Sequence, residues 1–330
     1  MKKIFLPFLL VALCFAACQN EHPVISTAAK NGLQLLAQNT PEWQYENLRI
    51  YPIVADASLI DNQAAVQKLK TLAEGMKTPG FRITELKQFG RTREHSVNAL
   101  TVQNKSQDTI FLMSGDVVTG GNQDRVIAQD QIVMPGTVKN IEVFCVEKGR
   151  WHYDDPTATE NEKKIFAFKG YYNVASPQVR SAVQRTGNQQ EVWNAVAKVT
   201  SANSAESGTH TYAALETANE AKAKRDAYLR YFDGKISNLP NMVGMVVVCG
   251  DRVLGMDVFG HPDLFRRQYD ALLHGYVAEA ATANCTVKAS DAEAQNAFAS
   301  VARLAAPGAS SNEDAGKFAN GGTWVHLFRK

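Results

Sequence analysis

Cysteine is scarce in this chain, and neither sign of charge is in excess. Five of the 330 residues are cysteine and no two of them form a C-x-x-C pair, which argues against a zinc knuckle. The chain has 35 basic and 33 acidic residues, and two of the basic ones, Lys2 and Lys3, lie at the N-terminus. The rest of the chain therefore has no net formal charge. Because nucleic-acid-binding proteins carry a basic excess or stripe, we expect no nucleic-acid partner.

Phosphate-loop and metal-binding signals are also missing. Gly120-Gly121 is not followed by the Gly-Lys-Ser/Thr of a P-loop. Four of the seven histidines, His95, His210, His274 and His326, show no metal-ligand spacing, and His261 is expected to begin a helix rather than bind a metal. The sequence therefore predicts neither a metal site nor a cofactor.

The N-terminus has a basic start, Met1-Lys2-Lys3, and an apolar run from Ile4 to Ala17. This run is shorter than the roughly 20 residues of a membrane-spanning helix. A basic start, a short apolar core and small residues before the cleavage site are typical of a secretory signal peptide. The end of the run, Phe15-Ala16-Ala17-Cys18, resembles the lipobox of bacterial lipoproteins.

That resemblance implies that residues 1–17 are a signal peptide and that Cys18 is acylated. Bacterial lipoproteins carry several lipid chains, which is what stable anchoring needs. We therefore expect a protein anchored to a membrane of the bacterial cell envelope through Cys18. Gln19, in place of Asp, by the same resemblance permits transfer to the outer membrane, facing the periplasm. The alternative is an ordinary secretory signal cut near Ala17, with Cys18 unmodified.

The order of predicted elements indicates the fold class. Residues 18–42 are polar and mixed and predict a tether. Residues 43–330 predict one domain in which strands come first, helices follow over about 152–235, and strands return. This order predicts an α+β fold with a largely antiparallel sheet, packed helices and a helical insertion.

A β-hairpin and a helix are the clearest local signals. Met242–Val248 and Val253–Phe259 are apolar runs separated by the turn residues Gly250-Asp251. His261-Pro262-Asp263 predicts a helix start, because proline suits the first turn. The apolar stripe that follows has helical spacing and consists of Phe265, Tyr269, Leu272, Leu273, Tyr276, Val277 and Ala280.

Three motifs resemble one known family. The chain is similar to the ARG-and-rhodanese-phosphatase-superfamily-associated protein domain over most of residues 43–330, except in the helical block. The shared motifs are G-x-Q-x-R at 121–125, C-x-E-x-G-R-W at 145–151, and Asp257-Val258-Phe259-Gly260 followed by Leu264-Phe265. The resemblance implies no established activity, so no catalytic role is carried over.

Two predicted strands could bring the first two motifs together. Arg125–Met134 and Thr137–Val146 read as strands joined by a Pro135-Gly136 turn. If they pair, one edge of the sheet gathers an amide, a guanidinium group and a carboxylate, and Arg150 and Trp151 lie just beyond it. The expected polar pocket consists of Gln123, Arg125, Glu147, Arg150 and Trp151.

Such a pocket suits a small anionic or sugar-like ligand. Guanidinium groups bind carboxylate or phosphate bidentately, and a Trp ring can stack on a sugar or base. The sequence thus favours a binding module. Purely structural roles compete: Arg125 and Glu147 could form a buried pair that fixes strand register, and Trp151 could cap the core with Arg150 stacked on it.

Two further functions stay open. Asp116 and Glu147 could be the acid/base pair of a hydrolase that acts on a glycosidic or phosphate-linked substrate, or the protein could be a structural component of the envelope. Cys145 and Cys249 lie in apolar strand-like runs and read as buried small hydrophobic residues. A disulfide among these two and Cys285 is left open.

Overall fold

The computed structural model describes residues 30–37, 41–86, 98–150, 167–283 and 286–330. The predicted signal peptide, Cys18, Trp151 and Cys285 lie outside these ranges. Within them, no helix combines the length and the apolar character that a bilayer span requires.

The strands of the described residues form three sheets. Their bounds are β1 (Leu33–Leu35), β2 (Gln44–Tyr45), β3 (Leu48–Ala55), β4 (Lys70–Thr71), β5 (Phe81–Glu85), β6 (Ala99–Asn104), β7 (Ile110–Leu112), β8 (Asp116–Gly120), β9 (Arg125–Ile127), β10 (Gln131–Val133), β11 (Val138–Cys145), β12 (Phe168–Val174), β13 (Met242–Cys249), β14 (Arg252–Phe259), β15 (Ala315–Asn320) and β16 (Thr323–Arg329).

The helices lie mainly between β12 and β13 and between β14 and β15. The α-helices are α1 (Ala57–Asn62), α2 (Ala64–Gln67), α3 (Leu72–Gly75), α4 (Pro177–Ser181), α5 (Gln189–Ala202), α6 (Asn219–Phe232), α7 (Pro262–Ala280) and α8 (Asp291–Ala302). A π-helical turn, Ala182–Thr186, follows α4, and short 3-10 helices span Pro41–Trp43, Tyr212–Glu216, Lys235–Asn238 and Arg303–Ala305.

The sheets are almost wholly antiparallel. The seven-stranded sheet has the order β1-β3-β13-β14-β16-β15, with β2 also paired to β3. The six-stranded sheet has the order β12-β8-β9-β11-β6-β5, and the three-stranded sheet has the order β10-β7-β4. Only the β4–β7 pair, among those described, is parallel. The predicted α+β fold with a largely antiparallel sheet is confirmed.

Helices cover both faces of the seven-stranded sheet. All eight residues of β13 are buried, because alternate side chains face opposite layers. Met245 and Val247 pack in the cluster that contains α7, whereas Val246 and Val248 pack in the cluster that contains α8. The uninterrupted apolar run of β13 is therefore what a strand covered on both sides requires.

The six-stranded sheet is also covered on both faces. Val126 and Phe144 pack against α4 and α5. Ile127 and Val143, on the other face, pack against residues of the three-stranded sheet such as Leu112. This sheet thus lies between a helical layer and a small second sheet.

The predicted hairpin and helix are both present. β13 and β14 pair across the Gly250-Asp251 turn, with an irregularity between Val247 and Val248. α7 begins at Pro262, and the His261 side chain accepts a hydrogen bond from the Asp263 N–H. Proline has no N–H to satisfy in the first turn, so the local sequence alone defines this helix start.

The segment predicted as one strand, Arg125–Met134, is two strands in different sheets. β9 stays in the six-stranded sheet and β10 joins the three-stranded sheet. Between them Asp130 accepts a hydrogen bond from the Ser114 N–H at 2.7 Å and contacts His326. These buried contacts redirect the chain, which periodicity alone did not indicate.

Two predicted boundaries also differ from the structure. β1 falls in the segment predicted as a tether, yet Leu33 and Leu35 are fully buried and pair with β3. The folded part therefore begins before residue 43. The predicted helical insertion, about 152–235, contains β12 in its described part, and this strand pairs with β8.

Gly244 provides a test of how tightly β13 fits its neighbours. A Cβ at this position would lie 2.4 Å from the Asp257 carbonyl oxygen, and backbone cannot easily move away. We expect Gly244→Ala to lower the free energy of unfolding by about 1–3 kcal/mol, as measured by urea denaturation. Gly208→Ala is the matched control, because a Cβ there meets nothing within 4 Å; equal losses in both variants would contradict the expectation.

Candidate functional site

The structure brings together four of the five residues of the predicted polar pocket. β9 pairs antiparallel with β11, with Cys145 opposite Arg125. Gln123 links the two motifs, because its Nε2 donates to the Glu147 carbonyl oxygen at 2.6 Å and its Oε1 lies 3.4 Å from Arg125 Nη1. Arg150 contacts Glu147, and Trp151 lies outside the described residues.

Glu147 and Arg150 form the centre of this cluster. Arg150 binds the Glu147 carboxylate through Nε at 3.0 Å and Nη2 at 2.6 Å, and its Nη1 donates to the Gly121 carbonyl oxygen at 2.7 Å. The Glu147 carboxylate also accepts the Asp124 N–H at 3.0 Å. These bonds join the loop before β9 to the loop after β11.

The ionised form of Glu147 is the stable one in this setting. Burial raises its pKa, but hydrogen bonds from Arg150, Thr209 and the Asp124 N–H, with the charge of Arg150, outweigh burial and hold the pKa below its ordinary value. Asp124 is buried beside it and accepts a hydrogen bond from the Thr211 hydroxyl at 2.6 Å. The cluster thus fastens the chain before the 3-10 helix Tyr212–Glu216 to the sheet.

Arg125 and Glu147 have different partners, so the hypothesis that they pair with each other is wrong. Arg125 is fully buried, donates to the Gln123 carbonyl oxygen at 2.8 Å, and lies 3.6 Å from Glu85. Glu147 lies two residues beyond the end of β11, where the chain bridges to Thr211. Ligand binding by these residues stays a prediction.

Asp116 and Glu147 lie in separate environments. Asp116 begins β8, whereas Glu147 binds Arg150, which contacts the Gly120 carbonyl oxygen at the other end of β8. The two ends of this strand are roughly 13 Å apart. The Asp116 carboxylate accepts hydrogen bonds from the Met113 N–H, the Tyr171 hydroxyl and Gln268. Burial is the main cause that raises its pKa to about 7. The two carboxylates proposed as an acid/base pair therefore do not face one another across one site.

A buried ionic network that the sequence did not reveal crosses the middle of the fold. His326 on β16 contacts Asp130 through Nδ1 at 2.8 Å and Asp257 on β14 through Nε2 at 3.1 Å. Arg180 on α4 binds Asp257 bidentately, at 2.9 and 2.5 Å. The Tyr276 hydroxyl on α7 donates to the same carboxylate at 2.5 Å. We call these five residues the central network.

Charge balance explains how the central network is tolerated in the core. Burial lowers the pKa of His326, but the carboxylates of Asp130 and Asp257 outweigh burial and raise it to about 9. Burial also opposes ionisation of Asp257, but Arg180 and His326 hold its pKa well below its ordinary value. Two cations thus face two anions. One signal was available in the sequence: an aspartate inside the apolar run of β14 requires a buried partner.

A cleft of about 520 Å³ opens beside the central network, between α4, α5, β14, the end of α7 and the end of β16. Of the described residues that line it, five are basic and one is acidic: Arg180, Lys198, Arg252, Arg329, Lys330 and Glu279. Arg180 is 6% exposed, and its Nε has no hydrogen-bond partner among the described residues.

The rest of the cleft is partly apolar. Val199, Ala202, Val253 and Leu254 contribute to its walls. Within the described residues, no three histidine, cysteine or carboxylate side chains converge as metal ligands would. The arrangement can hold an organic molecule whose anionic group contacts the basic residues and whose uncharged part contacts these walls.

The acidic residue of the cleft, Glu279, is held in place by neighbouring donors. Its Oε1 accepts a hydrogen bond from the Gln178 N–H, and its Oε2 lies 3.6 Å from Arg252 Nη2. Burial is the largest influence and raises the pKa of Glu279 above its ordinary value, although the Gln178 N–H, Arg252, Ser176 and Lys198 each act to lower it. Because both oxygens face donors, the geometry suits a carboxylate.

The first prediction from this site concerns Glu147. We expect Glu147→Gln to lower the free energy of unfolding by about 2 kcal/mol, because it removes the charge-assisted bonds to Arg150. Denaturant titration measures this change. Glu142→Gln, at an exposed position of β11, should change stability by less than about 0.5 kcal/mol. A Glu147→Gln variant as stable as that control would show that the ion pair contributes little.

The second prediction concerns the pH dependence of stability. The His326 pKa is raised from 6.5 to about 9, so its contribution is complete below pH 6.5 and is lost as pH rises through 9. Relative to His326→Gln, the wild-type protein should lose stability on the order of 3 kcal/mol over this interval. Denaturant titrations at a series of pH values measure it.

The exposed His210→Gln variant is the control for that series and should keep the wild-type slope. Parallel curves for the wild-type protein and His326→Gln would contradict a charged His326 between the two carboxylates.

Comparison with known proteins gives one match. The family model of the ARG and Rhodanese-Phosphatase-superfamily-associated Protein domain matches residues 37–324. No match was found among curated proteins or solved structures. The matched range includes β2 to β15 and the first two residues of β16. It contains the cluster around Glu147 and Arg150 and all of the central network except His326. The chain belongs to the ARG and Rhodanese-Phosphatase-superfamily-associated Protein domain family.

Proposed function

We propose that this protein is a binding module for a small anionic ligand, which it takes in the cleft beside Arg180. The observation that carries the proposal is the cleft itself, about 520 Å³ in volume with a strongly basic lining. Small-molecule sites of proteins usually measure roughly 300–1,000 Å³. A bare inorganic ion would leave most of this space unfilled, so the ligand is an organic anion.

Arg180 provides the fixed part of the site. Asp257 holds the guanidinium bidentately, so little side-chain entropy is lost when a ligand binds. Its buried Nε has no acceptor among the described residues, and an unsatisfied buried donor costs roughly 1–3 kcal/mol. The positive charge of Arg180 borders the cleft, where it attracts an anion.

The other basic residues lie nearer to solvent and contribute mainly long-range electrostatic attraction of the ligand. The Arg252 side chain is 67% exposed, and Lys198 and Arg329 are also exposed. Exposed charges of one sign attract an oppositely charged ligand and raise its association rate, and salt weakens the effect. This division between one buried and several exposed cations supports binding of an anion.

The residues that line the cleft favour a ligand-binding function rather than glycoside hydrolysis. Hydrolysis of glycosides generally requires two carboxyl groups on either side of the bond. Among the described residues of the cleft, Glu279 alone carries a side-chain carboxylate. Asp116 and Glu147 are not lining residues of this cleft, and each is occupied by its own partners.

Location in the bacterial cell envelope is part of the proposal. The lipobox-like sequence that ends at Cys18 supports a lipid anchor. An anchor would keep the binding domain at the membrane surface, where it would meet ligands that enter the envelope.

A binding assay with cleft variants tests the proposal. We expect glucose 6-phosphate, or another phosphorylated or carboxylated metabolite of similar size, to raise the melting temperature of the protein. The Lys198→Gln/Arg252→Gln variant lacks two cations of the cleft, and its affinity for that ligand should fall by about tenfold or more. The reason is that a close charge pair at a binding site contributes up to a few kcal/mol. Isothermal titration calorimetry measures the affinity.

The control is Lys224→Gln/Arg230→Gln, which removes the same charges from exposed positions of α6 outside the cleft. It should bind as the wild-type protein does. Failure of every organic anion to stabilise the protein, or equal loss of affinity in both double variants, would overturn the proposal.

A further inference from the structure

Glu279 places a negative charge in the cleft, and this charge limits which anions can bind there. Glu279 lies close to the cations of the cleft: its Oε2 is 3.6 Å from Arg252, and Lys198 also acts on its charge. An oxyanion that pairs with Arg252 and Lys198 therefore lies beside the Glu279 carboxylate. Two like charges at such a distance repel each other unless a proton lies between them.

Glu279 has the capacity to accept that proton in a hydrogen bond. Its carboxylate offers about four acceptor positions. The Gln178 N–H and the Ser176 hydroxyl use two of them, and Arg252 at 3.6 Å is too distant for a hydrogen bond. Its side chain is 10% exposed and borders the cleft, so a bound ligand can reach it.

Phosphate and sulfate monoesters differ in this respect. The second pKa of a phosphate monoester is about 6, so at pH 6.5 roughly a quarter of its molecules carry a P–O–H group. A sulfate monoester carries no proton at this pH and can only accept hydrogen bonds. Only the phosphate can therefore donate to Glu279, whereas the sulfate places a full negative charge against it.

We propose that Glu279 is a specificity-determining residue, which makes the cleft select phosphate monoesters over sulfate monoesters by accepting a hydrogen bond from the ligand's P–O–H group. This inference rests on the proposed function of the cleft. It narrows the ligand class from organic anions to phosphorylated metabolites. Arg180, Arg252 and Lys198 attract the phosphate oxygens, and Glu279 accepts the hydrogen bond from the P–O–H group.

The groups around Glu279 are consistent with this role. The charged side chains that act on it are Arg252 from β14 and Lys198 from α5, and the polar groups are the Gln178 N–H and the Ser176 hydroxyl at the start of α4. All of them donate. These donors leave other acceptor positions of the carboxylate for a ligand in the cleft.

The test compares a matched pair of ligands, glucose 6-phosphate and glucose 6-sulfate, by calorimetry at pH 6.5. The wild-type protein should bind the phosphate ester at least about tenfold more tightly. In Glu279→Gln the side chain can donate as well as accept, so the two affinities should come within about threefold of each other. Glu220→Gln, an exposed position of α6, should keep the wild-type preference.

The outcomes separate this inference from the proposed function. Equal affinities for the two esters in the wild-type protein would overturn the selectivity and leave anion binding intact, whereas no binding of either ester or of any other anion would overturn the proposed function. A Glu279→Gln variant that keeps the preference would exclude Glu279 as its cause.

A pH series on the wild-type protein makes the test independent of any variant's stability. Phosphate affinity relative to sulfate affinity should fall as pH rises from 6 to 8.5, because the P–O–H form is lost around pH 6. A constant ratio across this range would contradict the proposal.

Discussion

The structure depends on one buried interaction, the bidentate pair of Arg180 and Asp257 together with the contact of Asp257 to His326. It joins a helix of the six-stranded sheet's outer layer to two strands of the seven-stranded sheet. Asp130 closes the network from the β9–β10 connection. Charges buried this deeply are tolerated only when each is paired and hydrogen-bonded. The network therefore fixes how the six-stranded sheet and its helical layer pack against the seven-stranded sheet.

The same interaction shapes the cleft. Arg180 belongs both to the central network and to the cleft lining, so the position of the one deeply buried cation of the site is set by the packing of the core. The more exposed cations, such as Lys198 and Arg252, are free to vary in position, and Glu279 is fixed by the start of α4. Rigid and adaptable donors thus surround one carboxylate, which is an arrangement suited to discrimination among anions.

Sequence reasoning identified much of the fold but less of the site. The β13–β14 hairpin and α7 were predictable because turn residues, a cap and apolar periodicity act within a few residues of each other. Gln123 and Glu147 were correctly expected to approach each other, since strand pairing is also a local signal here. Arg180 and Glu279 were not singled out, because their partners are 77 and 101 residues away along the chain.

The sequence by itself determined the fold class, the family motifs and the apolar strands that both helical layers must cover, because burial of apolar side chains follows from their spacing. Only the tertiary structure decided which charges meet. It paired Arg125 with Glu85 and Arg180 with Asp257, and it placed Arg180 beside an open cleft. The physical reason is that an ion pair depends on distance in space, and strands distant in the chain meet only after the sheets have packed.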